Sequence, residues 1–424
     1  MGSSNHRAAV DDAERAAATA ASESYGRLVA LLASSTRDVA AAEDALADAF
    51  EAALRTWPDQ GVPTAPDAWL LTTARRKLID AGRRAQTADR AEPSLALLLE
   101  ELASADRDSR FPDKRLELLF VCAHPAIDVR IRTPLMLQTV LGLDAKRMAG
   151  AFLVAPATLS QRLVRAKHKI RDAGIRFRIP EPDELPERLD AVLEAIYGGY
   201  TAGRSTAAAG DDHRRGQVAT EAVRLARLMV ELLPDHPEAL GLLAVILYTE
   251  ARRDAGRDPE GRFIPLTEQD TGRWSADLRA EGDAAVRRAA AAGYLGPFGI
   301  EANIQAAHMA RAETGATDWR TIRGLYDTLL LISPTIGARV AAAAAALEAD
   351  GPAAALDRLN GIEADDAAVT ARYQPWWAVR AHALQRLGDP EALAAFDRAA
   401  GMTDDPAIRA WLLERAATSS ADRA

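Results

Sequence analysis

The fold of this chain is constrained most by its alanine-rich, helix-favouring composition. Of its 424 residues, 48% are hydrophobic but only 5% are aromatic. Alanine has the highest helix propensity, whereas strands favour β-branched and aromatic residues. Continuous runs of Val, Ile, Thr and Tyr are nearly absent. We therefore predict an all-α fold, and the length favours two or three domains.

The sequence also indicates a cellular compartment. A single cysteine, Cys122, cannot form an intramolecular disulfide, which favours a reducing environment. The first residues lack the apolar core of a signal peptide and are predicted to form a disordered tail over 1–21. The longest uncharged apolar run, 340–347, is too short to span a bilayer. We predict a cytoplasmic, nucleoid-associated protein without a membrane partner.

Charge is distributed unevenly along the chain. The net charge is −9, but residues 1–180 carry +3 and the remainder carries −12. Between 157 and 178, seven Lys or Arg residues stand against one Asp. Such asymmetry is typical of a half that faces nucleic acid joined to a half that faces protein.

Breaks in hydrophobic periodicity predict the domains. A first helical domain covers 22–85, with helices expected over 23–34, 36–57 and 66–85. A polar linker follows over 86–112, and a second compact domain covers 113–178. Three prolines in "FRIPEPDELPER" then indicate a domain boundary.

Amphipathic helices alternate with short turns in the remainder of the chain. Residues 183–300 are predicted to form a helical extension. Over 301–424, "DRLNG" and "DRAAG" lie forty residues apart, which is typical of helix-hairpin repeats of tetratricopeptide-like character. An irregular α-bundle is the alternative.

The cationic segment lies in a predicted helix-turn-helix. A short helix over 145–152 is followed by a turn and a second helix starting at Pro156, where the fixed φ of proline suits a first helical turn. Leu159, Leu163, Ala166 and Ile170 share one face of the second helix, and polar and basic residues share the other. Such a helix can enter the DNA major groove. A surface helix with solvated charges is the alternative.

Two further helices carry distinctive charge. Residues 66–85 combine a basic later half with an apolar stripe that includes Trp69 and Leu70. Upstream, Asp44, Asp48 and Glu51 fall on one helix face, which excludes nucleic acid from that face and suits a basic protein partner. A solvated face is the commoner explanation for three acidic residues.

The order of these pieces resembles that of bacterial RNA polymerase sigma factors. It is similar to the small extracytoplasmic-function group, which keeps only the second and fourth sigma regions. The stretch "AEDALADAF", 42–50, resembles that group's core-polymerase-binding signature, although Ala47-Asp48 stands where Gln-Glu is usual. The stretch "AWLLTTARRKLIDAGRR", 68–84, resembles its minus-10 helix. The stretch "APATLSQRLVRAKHKIRDAG", 155–174, resembles its minus-35 helix.

The resemblance implies site residues for each partner. The candidate contacts with core RNA polymerase lie on the acidic helix: Asp44, Asp48, Phe50 and Glu51. The candidate minus-10 contacts lie on the Trp-containing basic helix: Trp69, Arg75, Arg76, Lys77, Arg83 and Arg84. The candidate minus-35 contacts lie on the helix-turn-helix: Thr158, Ser160, Gln161, Arg162, Arg165, Lys167 and Lys169. Trp69 could stack on an unpaired base, but its apolar surroundings favour a core role.

The resemblance extends to a subgroup with a large C-terminal extension ending in tetratricopeptide-like repeats. It implies that the extension regulates the sigma domains through an intramolecular contact or by contacting polymerase. A peptide or small metabolite in the repeat groove is a second possibility.

Enzymatic chemistry is not indicated. The seven histidines are scattered without metal-ligand spacing, and no phosphate-binding glycine loop occurs. We predict no catalytic residues, no metal and no cofactor. The alternative function is a one-component helix-turn-helix regulator with a repeat-based sensing domain.

Overall fold

The protein is described by a computed structural model covering residues 2–86, 113–149, 152, 154–204, 212–293 and 295–421. These residues form helices and connecting loops. The helices are α1 Gly2–Glu23, α2 Tyr25–Thr36, α3 Val39–Gln60, α4 Pro66–Gln86, α5 Lys114–Cys122, α6 Val129–Thr139, α7 Ala145–Met148, α8 Pro156–Asp172, α9 Pro186–Arg204, α10 Asp212–Leu232, α11 Pro237–Ala251, α12 Ala276–Ala291, α13 Pro297–Met309, α14 Arg311–Thr314, α15 Trp319–Ile332, α16 Ile336–Ala349, α17 Pro352–Asp365, α18 Ala367–Thr370, α19 Gln374–Arg386, α20 Glu391–Met402 and α21 Pro406–Ala421.

The all-α prediction is confirmed. Within the described ranges there is no β-strand, and the one extended pairing is an isolated bridge between Arg257 and Phe263. None of the described helices is both long and apolar enough to cross a lipid bilayer. The predicted linker over 86–112 falls almost entirely outside the described residues.

The chain divides into two compact units. The first contains the described residues up to Arg204 together with 213–228, and the second contains Asp212 and the described residues from Met229 onward. The predicted boundary near residue 180 therefore does not separate the two units. α9 belongs to the first unit because Gly199 lets it pack closely on the end of α6, where an added Cβ would lie 2.1 Å from a methyl group of Leu141.

Residues 1–21 differ from their prediction as a disordered tail, because α1 is helical and packs against α3. Ala13, Ala17 and Ala20 are buried along one side of α1. Their spacing of four and three residues places them on one helix face, and their small side chains allow a close approach. An alanine stripe without larger apolar residues gives a weak sequence signal for a packed helix.

The second unit is a succession of helices in which neighbours along the chain pack together. Its first complete helix, α11, is buried along almost its whole length. A long loop after α11 reaches the last helices of the same unit. Arg257 in this loop binds Asp405, and Phe263 meets Trp411 edge to face with ring centroids 5.5 Å apart. These contacts tie the loop to the C-terminal end of the helical succession.

Candidate nucleic-acid and protein interface

α3 separates an apolar face from an acidic face. Asp38 caps its N-terminus by accepting a hydrogen bond of 3.0 Å from the Ala41 amide. The buried face is apolar and consists of Val39, Ala42, Ala45, Leu46, Ala49, Ala53 and Trp57. The predicted acidic contacts Asp44, Asp48 and Glu51 are exposed, and Phe50 is half-buried. The structure therefore presents the three carboxylates on one accessible surface.

α4 docks on α3 through apolar side chains. Leu70 and Ala74 are fully buried. Trp69 is half-buried and meets the buried Trp57 of α3 edge to face, with ring centroids 5.5 Å apart and planes inclined at 68°. Aromatic pairs favour this geometry. Trp69 thus packs against a buried residue of α3, and its predicted contact with minus-10 DNA stays a prediction.

The basic residues of α4 differ in exposure. Arg76 and Lys77 are exposed, whereas Arg75 is half-buried and burial lowers the pKa of its guanidinium. Arg83 and Arg84 lie in the last turn of α4, and their side chains fall outside the described part of the chain. Lys77 forms an ion pair of 3.5 Å with Asp48 of α3. Predicted minus-10 and polymerase contacts therefore adjoin each other.

α8 has the two faces that its sequence predicts. Pro156 occupies the first helical position, and Leu159, Leu163, Ala166 and Ile170 are buried. The exposed residues of the opposite face are Thr158, Ser160, Gln161, Arg162, Arg165 and Lys169. No described carboxylate lies within ion-pair distance of Arg162, Arg165 or Lys169. This surface is free to meet a polyanion.

Lys167 is a correction to the predicted set of exposed basic residues. Its side chain is buried, with 7% of the residue exposed, and its ammonium group donates to the Glu43 carboxylate of α3. The helical period explains this position, because Lys167 follows Leu163 by four residues and precedes Ile170 by three. It therefore lies on the apolar face rather than on the cationic one.

Glu43 is surrounded by buried groups. Burial raises the pKa of its carboxyl group, and the adjacent Lys167 opposes that rise. The hydroxyl of Tyr25 lies beside the same carboxylate, and burial together with that charge raises the pKa of the phenol. Cys122 is also close: its thiol is 3.5 Å from the Thr139 hydroxyl, and burial raises its pKa to about 12. A buried polar cluster thus joins five helices, α2, α3, α5, α6 and α8.

A second ion pair links α8 to α3. Arg171 lies 3.6 Å from the Asp38 carboxylate, which also caps α3. Its guanidinium is half exposed and also contacts Asp172 at 2.9 Å. The pair therefore lies at the rim of the contact, with Lys167 and Glu43 further inside.

Comparison with known proteins identifies the part of the chain that holds α2, α3 and α4. Residues 21–88 match the Sigma-70 region 2 family, and residues 188–290 match a family of unknown function, DUF6596. An uncharacterized protein, R00370, from Rhizobium meliloti (strain 1021) is 34% identical over 390 residues, covering 89% of each chain. No solved structure matches the chain.

The chain belongs to the sigma-70 family. A region 2 domain followed by a large C-terminal extension fits a sigma factor similar to the extracytoplasmic-function group. A region 2 domain implies sigma-factor-like promoter recognition. It also implies an interaction with core RNA polymerase and with promoter DNA. The sigma-70 family consists of non-enzymatic transcription factors.

The extension of this sigma factor begins on helices that contact α5 and α6. Arg115 of α5 has 2% of its surface exposed, and its Nε donates to the Asp113 carboxylate at 2.8 Å. Its other partner is Glu221 of α10, and Arg224 of α10 lies 3.1 Å from Asp113. Burial alone would lower the pKa of the guanidinium, but the hydrogen bonds to Asp113 and the charge of Glu221 raise it.

Sequence reasoning missed Glu43, Arg115 and Glu221, which hold these helices together. The signal for Glu43 was the inward position of Lys167, because a buried ammonium group requires a nearby carboxylate. Arg115 stands two residues after the capping Asp113 in an otherwise apolar helix, and that position indicates a buried ion pair. Neither signal identifies which distant residue is the partner.

Proposed function

We propose that this chain is a sigma factor that binds core RNA polymerase through α3 and directs promoter recognition through α4 and α8, under the control of its C-terminal extension. The observation that carries the proposal is the match of residues 21–88 to Sigma-70 region 2. A sigma factor that works on a bacterial chromosome acts in the cytoplasm. Association with the nucleoid is part of the proposal.

The minus-35 assignment is supported by the chemistry of the α8 surface. Its N-terminal half offers the hydroxyl of Thr158 and the amide of Gln161, which can reach base edges in a major groove. Arg162, Arg165 and Lys169 follow on the same exposed face and suit phosphate contacts. The apolar face below them supports the helix without using these groups.

The roles of α3 and α4 are supported by their opposite surface charges. The exposed carboxylates of Asp44, Asp48 and Glu51 repel a phosphate backbone and suit a basic protein surface. Arg76 and Lys77 on α4 suit the strand that is separated from its complement at minus 10. Polymerase supplies the chemistry of transcription.

Regulation by the extension is supported by the contacts of α9 and α10 within the first unit. α9 packs on α6, and Glu221 of α10 neutralises the buried Arg115 of α5. A segment packed so closely on the helices that support α8 can influence how α8 is presented. The tetratricopeptide-like character of the last helices, and a ligand in their groove, remain predictions.

A binding experiment tests the central proposal. Purified full-length chain is mixed with core RNA polymerase and passed over a sizing column. We expect co-elution and, with a suitable promoter, specific transcript initiation. A chain that binds duplex DNA alone and ignores core polymerase would instead be a one-component helix-turn-helix regulator.

The structure indicates where a truncation should be made to test the extension. A chain ending at Leu232 retains α9 and α10, whereas one ending at Pro180 removes Glu221 and leaves the buried Arg115 with fewer partners. We expect the chain ending at Leu232 to fold and to initiate transcription at a changed level. If that chain gave transcription of unchanged strength and start site, a regulatory role for the second unit would be contradicted.

A further inference from the structure

The minus-10 and minus-35 helices of the proposed function both lie on α3. α4 contacts α3 through Trp69 and Trp57, and α8 contacts it through Lys167 and Glu43. α3 is 22 residues long, which corresponds to about 33 Å. Two helices seated on one element of this length cannot be far apart.

The two promoter elements are further apart than this arrangement allows. Their nominal positions differ by about 25 base pairs, or about 85 Å of B-form DNA at about 3.4 Å per base pair. The two helices therefore cannot engage both elements of one straight promoter while both are seated on α3. The described arrangement is a closed state, and α8 must leave α3 before both elements are bound.

We infer that the buried ion pair between Lys167 and Glu43 is an autoinhibitory latch that fastens the minus-35 helix to the polymerase-binding helix. On opening, the ammonium group of Lys167 exchanges the Glu43 carboxylate for water. Glu43 becomes available on the helix that faces polymerase. This inference rests on the proposed function, since it concerns the regulation of the same DNA-binding surface.

Burial gives this ion pair the properties of a latch. The side chain of Lys167 is 9% exposed and that of Glu43 is 15% exposed. Each charge is tolerated inside the protein because the other is present, and removing one partner leaves an uncompensated buried charge. The contact therefore favours closure only while both partners are in place.

Partner binding supplies the free energy for opening. In the proposed function, the exposed Arg162 and Arg165 of α8 bind the phosphate backbone, and polymerase binds the acidic face of α3. Ligands that bind only the open state shift the population toward it in proportion to their differential affinity.

The single cysteine provides a probe of opening in the full-length protein. Cys122 is fully buried, and the charges of both Lys167 and Glu43 act on its thiol, so it lies close to the latch. When opening and closing are fast, the rate of thiol modification by a small disulfide reagent follows the population of the open state. No label needs to be introduced.

The test compares full-length variants of α3. We expect Glu43→Gln to raise the rate of Cys122 modification by about tenfold or more, because Lys167 then lacks its buried counter-charge. The matched control is Asp59→Asn, which removes an exposed carboxylate from the same helix and should leave the rate at the wild-type value. Equal rates for all three proteins would overturn the inference.

A double variant separates opening from unfolding. Glu43→Leu combined with Lys167→Met replaces the pair with apolar side chains, which buried sites accept at little cost. We expect its modification rate to be at or below the wild-type rate. The inference fails if Glu43→Gln loses helical circular dichroism and Cys122 is modified equally fast in Glu43→Gln and in the double variant.

A DNA-binding measurement connects the latch to the promoter. With a duplex carrying both promoter elements at their nominal spacing and no polymerase, we expect Glu43→Gln to bind about tenfold more tightly than the wild type, because only the open state can span both elements. A wild-type chain that ignores core polymerase would defeat the proposed function, but it would leave the thiol result unaffected. Unchanged DNA affinity together with a faster thiol reaction would show that α8 opens without becoming competent, and would overturn the autoinhibitory role.

Discussion

α4 and α8 are both cationic helices seated on α3, but they are held there in opposite ways. α4 is fixed by apolar side chains, and the one ion pair that its described side chains make with α3, between Lys77 and Asp48, is about half exposed. α8 places a buried ion pair, between Lys167 and Glu43, inside its contact with the same helix. The apolar contact of α4 with α3 is therefore permanent, whereas the contact of α8 with α3 is conditional on its buried ion pair.

Physical chemistry explains why the two contacts behave differently. Apolar burial favours the packed state under all ordinary conditions, because it requires no specific partner charge. A buried ion pair stabilises its contact only while both charges are present, and a competing ion in water can replace either one. α4 is therefore built to stay on α3, and α8 is built to leave it.

The largest expected effect comes from breaking the apolar contact of α4. Trp57→Ala removes a side chain with 2% exposure and the ring partner of Trp69. We expect the free energy of unfolding to fall by about 3–5 kcal/mol, because a cavity of this size is only partly filled by relaxation. Urea denaturation followed by circular dichroism measures the change.

The control for this prediction lies on the same helix. Leu54 is 46% exposed, and Leu54→Ala should change the free energy of unfolding by less than about 0.5 kcal/mol. A similar loss for both variants would mean that α4 is not fixed by the Trp57 contact.

The second effect concerns the buried pair under α8. A double-mutant cycle with Glu43→Gln and Lys167→Met should give a coupling free energy of about 3 kcal/mol, since each single variant leaves one buried charge or its partner unmatched. The measurement is the unfolding of the full-length chain and its three variants in urea. A coupling free energy near zero would show that this buried ion pair contributes no more to stability than an exposed ion pair does.

The helices and their faces were predictable because they depend on local periodicity. The predicted helix over 66–85 is observed as Pro66–Gln86, and that over 36–57 as Val39–Gln60. The buried face of α8 was predicted from Leu159 and Ile170 and the residues spaced between them. Apolar residues at intervals of three and four residues fix such a face without reference to the rest of the chain.

The missed features all depend on contacts between distant residues. Lys167 was assigned to DNA because its charge was read without its position on the helix. Its partner Glu43 is 124 residues away, and no local pattern encodes that distance. The first unit extends to 228 for the same reason, since α9 and α10 are held by Leu141 and Arg115 rather than by local sequence.

A third prediction addresses the outward face of α8, which does not contact α3. Arg162→Ala and Arg165→Ala should each weaken binding to minus-35 DNA on the order of tenfold at low salt and lower the salt-dependence slope by about 0.9. Stability should be unchanged because both side chains are exposed. Val164→Ala, on the same exposed stretch, is the control and should leave the slope unaltered.

This experiment also distinguishes base contacts from phosphate contacts. A residue that contacts only phosphate weakens all DNA sequences equally when it is removed. A larger loss on a minus-35 duplex than on a random duplex would assign that arginine to a base edge instead. Unchanged binding to both duplexes would contradict the assignment of α8 as the DNA-binding helix.

The smallest expected effect completes the comparison at the exposed pair between α3 and α4. Asp48 and Lys77 lie 3.5 Å apart with about half of each side chain exposed. Water and salt screen such a pair, so its double-mutant cycle should give a coupling below about 1 kcal/mol that shrinks further at high salt. Asp48→Asn should nevertheless weaken binding to core polymerase if the Asp48 carboxylate contacts the polymerase. The carboxylate would then contribute to stability through Lys77 and to binding through polymerase. A coupling as large as that of Lys167 and Glu43 would mean that charge fastens both helices, and that exposure does not separate the permanent contact from the conditional one.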